Sequence, residues 1–280
     1  MTHPRPAARR PEGPRPGSRW VAAGLLLATF LVFAATASRG YLCLDVWTAN
    51  LASYRLATTG TPNLDGVAVP ELDGKPARWV YVDDDAPNGH VVITRAPAAV
   101  IAGLPAYWLT QPDSMTVLPG AITAALLTAL AVLLMYLALL HLMRRRHALP
   151  AAAAFAFTTP IWSVAANGIW PHTITVLGIA LTAWAAAREK WWTVGLGGVL
   201  MLWARPNAAI IAAILGLGLA WRRRDISIAL RTGLPGLASL LPLSLWTHWV
   251  SGSWNPTALY GAGALSEVHK SVFDLSLIHI

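Results

Sequence analysis

Long apolar blocks alternate along this chain with short polar breaks, and most of the breaks carry basic residues. The first block runs from Trp20 to Ser38, and 19 residues as a helix reach about 28 Å, close to a hydrocarbon core of about 30 Å. The next runs from Val117 to Met143 and ends in Arg144-Arg145-Arg146. Further blocks cover Leu149 to Ala165, Pro171 to Ala187, Trp191 to Trp203, Pro206 to Trp221 and Leu230 to Val250. Their apolar positions are continuous, without the 3.6- or 2-residue periods of elements that face water on one side. The pattern predicts an all-α polytopic membrane protein with about seven transmembrane helices.

Two points need a decision. Ala35-Thr36-Ala37 resembles a signal-peptide cleavage site, but the first block exceeds the usual apolar length of a signal peptide, about 7–15 residues, and is read as an uncleaved helix. Residues 191 to 221 form either two short spans or one long helix bent at Pro206. Charge decides in favour of two. With seven spans and a cytoplasmic N-terminus, 14 of the 21 Lys and Arg fall on the cytoplasmic side and 10 of the 13 acids fall outside. A single helix would put Arg222 to Arg224 outside and bury Arg205 in lipid.

The polar residues 39–116 then form one large extracytoplasmic loop. Leu51 to Ala57 is expected as a short helix ended by Gly60 and Pro62. Arg78 to Val82 and His90 to Thr94, flanking a polar tip at Asp83 to Gly89, read as a β-hairpin. Pro97 to Leu109 is expected to lie along the membrane surface, with Tyr107 and Trp108 at headgroup level. Residues 1–19 are a basic, proline-rich cytoplasmic tail, and residues 20–274 the transmembrane domain. Residues 275–280, Leu-Ser-Leu-Ile-His-Ile, match the translation of a transposon-end adapter used in sequencing libraries and are expected to be non-native, with natural sequence truncated near Asp274.

Composition agrees: 55% of residues are hydrophobic and 12% charged, against about 25% charged in soluble domains. The net charge of +8 does not point to nucleic acid, because Lys and Arg cluster at the ends of apolar blocks. The single cysteine, Cys43, excludes an intramolecular disulfide.

Candidate chemistry gathers at the outer ends of the blocks. Asp45, seven residues after Ser38, is placed to act as general base on an acceptor hydroxyl, or else as a helix cap or solvated acid. Arg205, in Arg205-Pro206-Asn207, can hold a lipid phosphate bidentately or snorkel to the headgroups. His172, at the turn before the fourth block, can meet a phosphate or an acceptor, or make an interfacial hydrogen bond. Asp83, Asp84 and Asp85 carry oxygen ligands for a divalent cation, but three consecutive acids cannot all face one ion, and a solvated hairpin tip is the preferred reading. A transporter or flippase would need ionisable groups inside the spans, and these hold no acid.

The order of these features resembles the GT-C superfamily of membrane glycosyltransferases that use polyprenyl-phosphate sugars. The likeness rests on Asp45 directly after the first helix, on Ser53, Gly60 and Leu64-Asp65, and on Asn88-Gly89-His90 through Arg95-Ala96-Pro97. Leu104-Pro105-Ala106-Tyr107, Trp203-Ala204-Arg205-Pro206-Asn207, and Ser251 to Asn255 with Tyr260-Gly261 extend it. Val46 stands where members often have a second acid, and Ala98 where a glycine is expected. The resemblance implies a GT-C-like fold and inverting transfer of a sugar to a lipid or glycan acceptor of the cell envelope. It assigns Asp45 as base, and Arg205, His172 and Arg95 as ligands of the donor phosphate. Some members bind a divalent cation, so a metal stays open, and the residues assign no ligand for one. Ala, Gly, Pro and Arg richness points to a high-GC bacterium, an actinobacterium, and together with the resemblance this implies the cytoplasmic membrane and decaprenyl-phosphate arabinose or mannose as donors. A non-enzymatic transporter or an envelope-assembly subunit is the competing expectation.

Overall fold

The computed structural model describes residues 16–40, 42–67, 71–72, 75–76, 81–82 and 89–260. Residues 1–15 of the expected tail and the final 20 residues, including 275–280, fall outside these, as does the Asp83 to Asp85 tip; residues 16–19, expected in the tail, instead form the start of the first helix. The described residues are mostly helical with almost no strand. Helix α1 (Pro16–Thr36) leads into α2 (Leu44–Thr59), and four two-residue strands follow: β1 (Glu71–Leu72), β2 (Lys75–Pro76), β3 (Tyr81–Val82) and β4 (Val92–Ile93). Then come α3 (Ala98–Thr110), α4 (Leu118–Leu142), α5 (Arg145–Phe157), α6 (Pro171–Ala187), α7 (Trp191–Ala204), α8 (Ala209–Arg223) and α9 (Ile226–Ser251).

Each expected apolar block overlaps a helix. Among the described residues, three helices are long and apolar enough to cross a membrane: Arg19–Thr36, Leu118–Leu142 and Ile226–Ser251. The packing agrees with a lipid environment. Buried positions are dominated by alanine, whereas Leu31, Leu217, Leu241 and Leu245 are each more than half exposed. Large side chains outside and small ones between helices reverse the soluble pattern and suit a bilayer, where dispersion and close backbone approach hold helices together. This is a membrane protein.

Small residues set the helix spacing. A Cβ at Gly178 of α6 would sit 2.9 Å from the Gly197 carbonyl of α7, and one at Gly197 would sit 2.8 Å from the Gly178 carbonyl. Gly195 meets the Thr232 carbonyl of α9 in the same way, at 2.6 Å. Arg223, at the end of α8, donates to Glu189 Oε1 at 2.7 Å and lies 5.2 Å from the ring centre of Trp191, at the start of α7. Helices α7 and α8 are therefore an antiparallel pair, and residues 191–221 are not one bent helix. Pro206 explains the reversal, since it has no N–H for the helical ladder and its ring disfavours helical geometry at Arg205.

Three expectations change. The block 149–165 is interrupted: α5 stops at Phe157, and Thr158-Thr159-Pro160 separates it from a single π turn at Ile161–Ala165. The loop helix is longer than 51–57 and already includes Asp45 in its first turn. It ends as expected at Gly60, whose φ of 74° suits a residue without Cβ. Tyr107 is fully buried, whereas its neighbour Trp108 is 61% exposed. The expected hairpin appears as β3 paired antiparallel with β4, Tyr81 opposite Ile93 and Val82 opposite Val92. A second pair, β1 with β2, flanks Asp73-Gly74.

The helices sort their ends by charge. Phe33 packs against Ala125 and Ala129, so α1 ends where α4 begins, and α6 and α8 also start at this end. Arg144 to Arg146, Arg188, Lys190 and Arg222 to Arg224 lie at the opposite end, in or beside the last turns of α4, α6 and α8.

A Cβ at Gly120 would run into Asn50 Oδ1, whereas Gly218 faces open space. Gly120→Ala should destabilise the detergent-solubilised protein by about 1–3 kcal/mol. Gly218→Ala, in the middle of α8, should stabilise it by about 0.5–1 kcal/mol. Unfolding in a denaturing detergent series reads both, and equal effects would contradict the packing described.

Candidate functional site

A cavity of about 450 Å³ opens between the segment that joins α1 to α4 and the ends of α6 and α7. Asp45, Arg95, Arg205 and Asn207 line it, with small walls from Ala49, Ala96 and Ala99. Three of the four residues singled out from sequence thus share one space, although they lie on segments far apart in the chain. The fourth, His172, is not in the lining. Its Nε2 accepts a hydrogen bond from Arg205 Nη2 at 2.9 Å.

Each side chain is held by local chemistry. Asp45 lies in the first turn of α2, where Cys43 provides no side-chain cap. Arg95 follows β4, and its carbonyl accepts from Trp246 Nε1 of α9 at 2.9 Å. Arg95 Nη2 stands 3.5 Å from Asp45 Oδ1, an ion pair with both side chains about one-third exposed. Arg205 occupies the break after α7 in extended backbone, φ −149° and ψ 104°, with its N–H on the Met201 carbonyl at 2.7 Å. His172 is the second residue of α6, its ring centre 4.3 Å from that of Trp170.

Two guanidinium groups and one carboxylate face the cavity, so it carries an excess of positive charge. Residues from the first turns of α2, α3 and α6 also line it, and helix N-termini present unpaired N–H groups and a positive dipole end. Such an arrangement suits an anionic ligand beside a group able to accept a proton. Among the described residues, no three His, Cys, Asp or Glu side chains converge as a metal-ligand set.

Behind the cavity, the loop is clamped by Asp65. Its Oδ1 accepts from the Val91 N–H at 2.8 Å and its Oδ2 pairs with His90 Nδ1. Leu64 N–H donates to the Val91 carbonyl at 2.7 Å, and Arg55 holds the Asn63 carbonyl at 3.0 Å. These contacts join the segment after α2 to β4, four residues before Arg95 becomes available to the cavity. Partial burial acts to raise the Asp65 carboxyl, but the Val91 N–H, the His90 ring and Arg55 outweigh it and hold the group below its ordinary value.

Asn207 is the functional candidate that sequence reasoning quoted without a role. Its place beside Arg205 and its neutral amide were visible, but nothing in the pattern said that the turn would face the loop. No protein-family model matches the chain, and no curated protein is significantly similar to it.

The Asp65 clamp carries a pH sign. A carboxyl lowered on folding contributes stability above its unfolded value, about 3.9, and that contribution fades as pH falls through the lower folded value. Limited proteolysis of the loop should find wild type better protected than Asp65→Asn near neutrality, with the difference shrinking below about pH 4 and gone only once pH falls below the folded value. Equal protection at neutral pH would mean that Asp65 holds nothing.

Proposed function

We propose that this chain is a polytopic membrane glycosyltransferase of the GT-C kind, moving a sugar from a polyprenyl-phosphate donor to a cell-envelope acceptor outside the cytoplasmic membrane. The observation that carries this reading is the meeting of Asp45, Arg95 and Arg205 in one cavity at the end of the bundle away from the basic clusters. In the same reading the chain crosses the bilayer seven times, with its N-terminus and basic clusters in the cytoplasm. The cavity then opens at the level where a lipid-linked donor presents its phosphate.

In this reading the acceptor hydroxyl gives its proton to Asp45 while its oxygen attacks the anomeric carbon from the face opposite the phosphate. The bond from that carbon to the phosphate oxygen breaks, inverting the sugar, and the polyprenyl phosphate leaves with the electron pair. Arg205 holds the phosphate bidentately, and Arg95 exchanges its contact with Asp45 for the developing negative charge. The volume of about 450 Å³ lies within the range of about 300–1,000 Å³ for small-molecule pockets. It accommodates a sugar phosphate head while the tail stays in lipid.

The test uses the protein expressed in membranes, with radiolabelled decaprenyl-phosphate arabinose and mannose and a crude envelope acceptor. Asp45→Asn should lower transfer by at least about 100-fold at unchanged protein level, as loss of a general base does. Equal transfer in both would remove Asp45 as base. Absence of transfer from every donor in wild type would move the reading to a transporter or an envelope-assembly subunit.

A second expectation concerns the donor phosphate. Arg205→Lys, which keeps the charge but loses the two-pronged geometry, should weaken donor use by about tenfold, and Arg205→Gln should weaken it further. Steady-state kinetics against donor concentration separate the two, and a fully active Arg205→Gln would take the residue out of the site.

A further inference from the structure

We infer that His172 is a positioning residue: as a neutral imidazole protonated on Nδ1, it fixes the Arg205 guanidinium toward the cavity and does not itself touch the ligand. The inference rests on the reading of the cavity as a phosphate site, and replaces a direct phosphate contact for His172 with an indirect role.

Donor chemistry sets the tautomer. Arginine has only N–H donors and no acceptor, so a contact of 2.9 Å between Arg205 Nη2 and His172 Nε2 requires a lone pair on that nitrogen. The ring proton then sits on Nδ1. An imidazolium has no lone pair and would set two cations against each other. Nε2 is therefore spent on Arg205, and His172 is absent from the cavity lining. Arg205 lines it, as do Asp45 and Arg95.

The support behind the imidazole is a chain of ring contacts and hydrogen bonds. Its ring meets Trp170 at 4.3 Å and an interplanar angle of 63°. Trp170 Nε1 donates to the Val164 carbonyl at 3.1 Å, in the π turn. The adjacent Thr173 hydroxyl lies 2.7 Å from the Ala165 carbonyl and 3.2 Å from the Gly168 carbonyl. A π turn, an indole, an imidazole and a guanidinium thus form one continuous line that ends in the cavity. Arg205 needs such a support, because it lies in extended backbone at a helix break and has several rotatable bonds. Groups that hold an active side chain in its working rotamer are what make a site preorganised.

Two measurements on the full chain in bilayers test this. The first needs no ligand: ¹⁵N spectra of histidine-labelled protein, with the His172 signal assigned by its loss in His172→Gln. Wild type should show the Nδ1–H tautomer at neutral pH, with the hydrogen-bonded shift of Nε2 lost in Arg205→Gln. An Nε2–H tautomer or an imidazolium would overturn the inference.

The second is a double-mutant cycle on the binding of sugar-free decaprenyl phosphate. His172→Phe keeps a ring against Trp170 without an acceptor and should weaken binding about tenfold, as loss of one charge-assisted hydrogen bond does. His172→Gln, whose amide oxygen can accept from Arg205, should stay within about threefold of wild type. In an Arg205→Gln background, His172→Phe should add no loss. A full further loss there would make His172 a ligand in its own right, and unchanged binding by His172→Phe alone would deny it any role. Wild type that shows the expected tautomer yet binds no lipid phosphate would overturn the phosphate reading and leave the pairing with Arg205 standing.

Discussion

Tyr107 Oη lies 2.7 Å from Asn50 Oδ1 and 2.7 Å from the Thr116 carbonyl, and it donates its one proton between them, with Tyr107 and Asn50 both fully buried. Asn50 completes its own bonding by donating Nδ2 to the Val46 carbonyl at 2.6 Å, within α2. This small network joins α2, α3 and the start of α4, the elements that carry or flank the cavity wall. Leaving one of these groups buried without a partner would cost about 1–3 kcal/mol. The angle of α2 against the bundle is set here, and the position of Asp45, five residues earlier on the same helix, follows from it. Gly120 is required because only a residue without Cβ lets α4 approach Asn50 so closely.

The same economy of side chains operates through the bundle. Glycines at positions 178, 195 and 197 bring α6, α7 and α9 into backbone contact, and alanines fill most of the remaining interior. Lipid offers these helices no hydrophobic reward for associating, so tight van der Waals contact does the holding. Rigid packing matters for the cavity because two of its charged groups sit where regular structure stops. Arg95 follows a two-residue strand and Arg205 follows a helix broken by proline. Each depends on neighbours for its place: Trp246 on the Arg95 carbonyl, His172 on the Arg205 guanidinium.

Much of this was legible in the sequence because it follows from strong local signals. Apolar blocks with basic ends located the helices, and the charge balance around Arg205 anticipated the reversal between α7 and α8. Asp45 and Arg205 were singled out as groups at one end of the blocks, Arg95 came only from the resemblance, and the three dispersed segments share one cavity. The misses share a physical origin. In α3 nearly every side is apolar, so no periodicity told which face meets protein, and Tyr107 was assigned to the headgroups although it is buried. The interruption of α5 had a visible signal in Thr158-Thr159-Pro160, overridden by the apolar residues on both sides. The β1–β2 pair flanks Asp73-Gly74, among the strongest short hairpin signals, but its strands are only two residues long. The link between Asn50 and Tyr107 spans 57 residues and has no local signature.

The proposed reaction requires the cavity to open on the extracytoplasmic side, opposite the basic clusters. The most direct measurement is labelling of intact cells with a membrane-impermeant maleimide, using single cysteines placed in a Cys43→Ser background. Asn63→Cys, in the loop, and Asn207→Cys, beside Arg205 at the cavity, should both react on intact cells. Arg224→Cys, between α8 and α9, should react only after the cells are permeabilised. Reaction of Asn207→Cys only after permeabilisation, with Asn63→Cys reactive from outside, would separate Arg205 from the loop and contradict a single outer site.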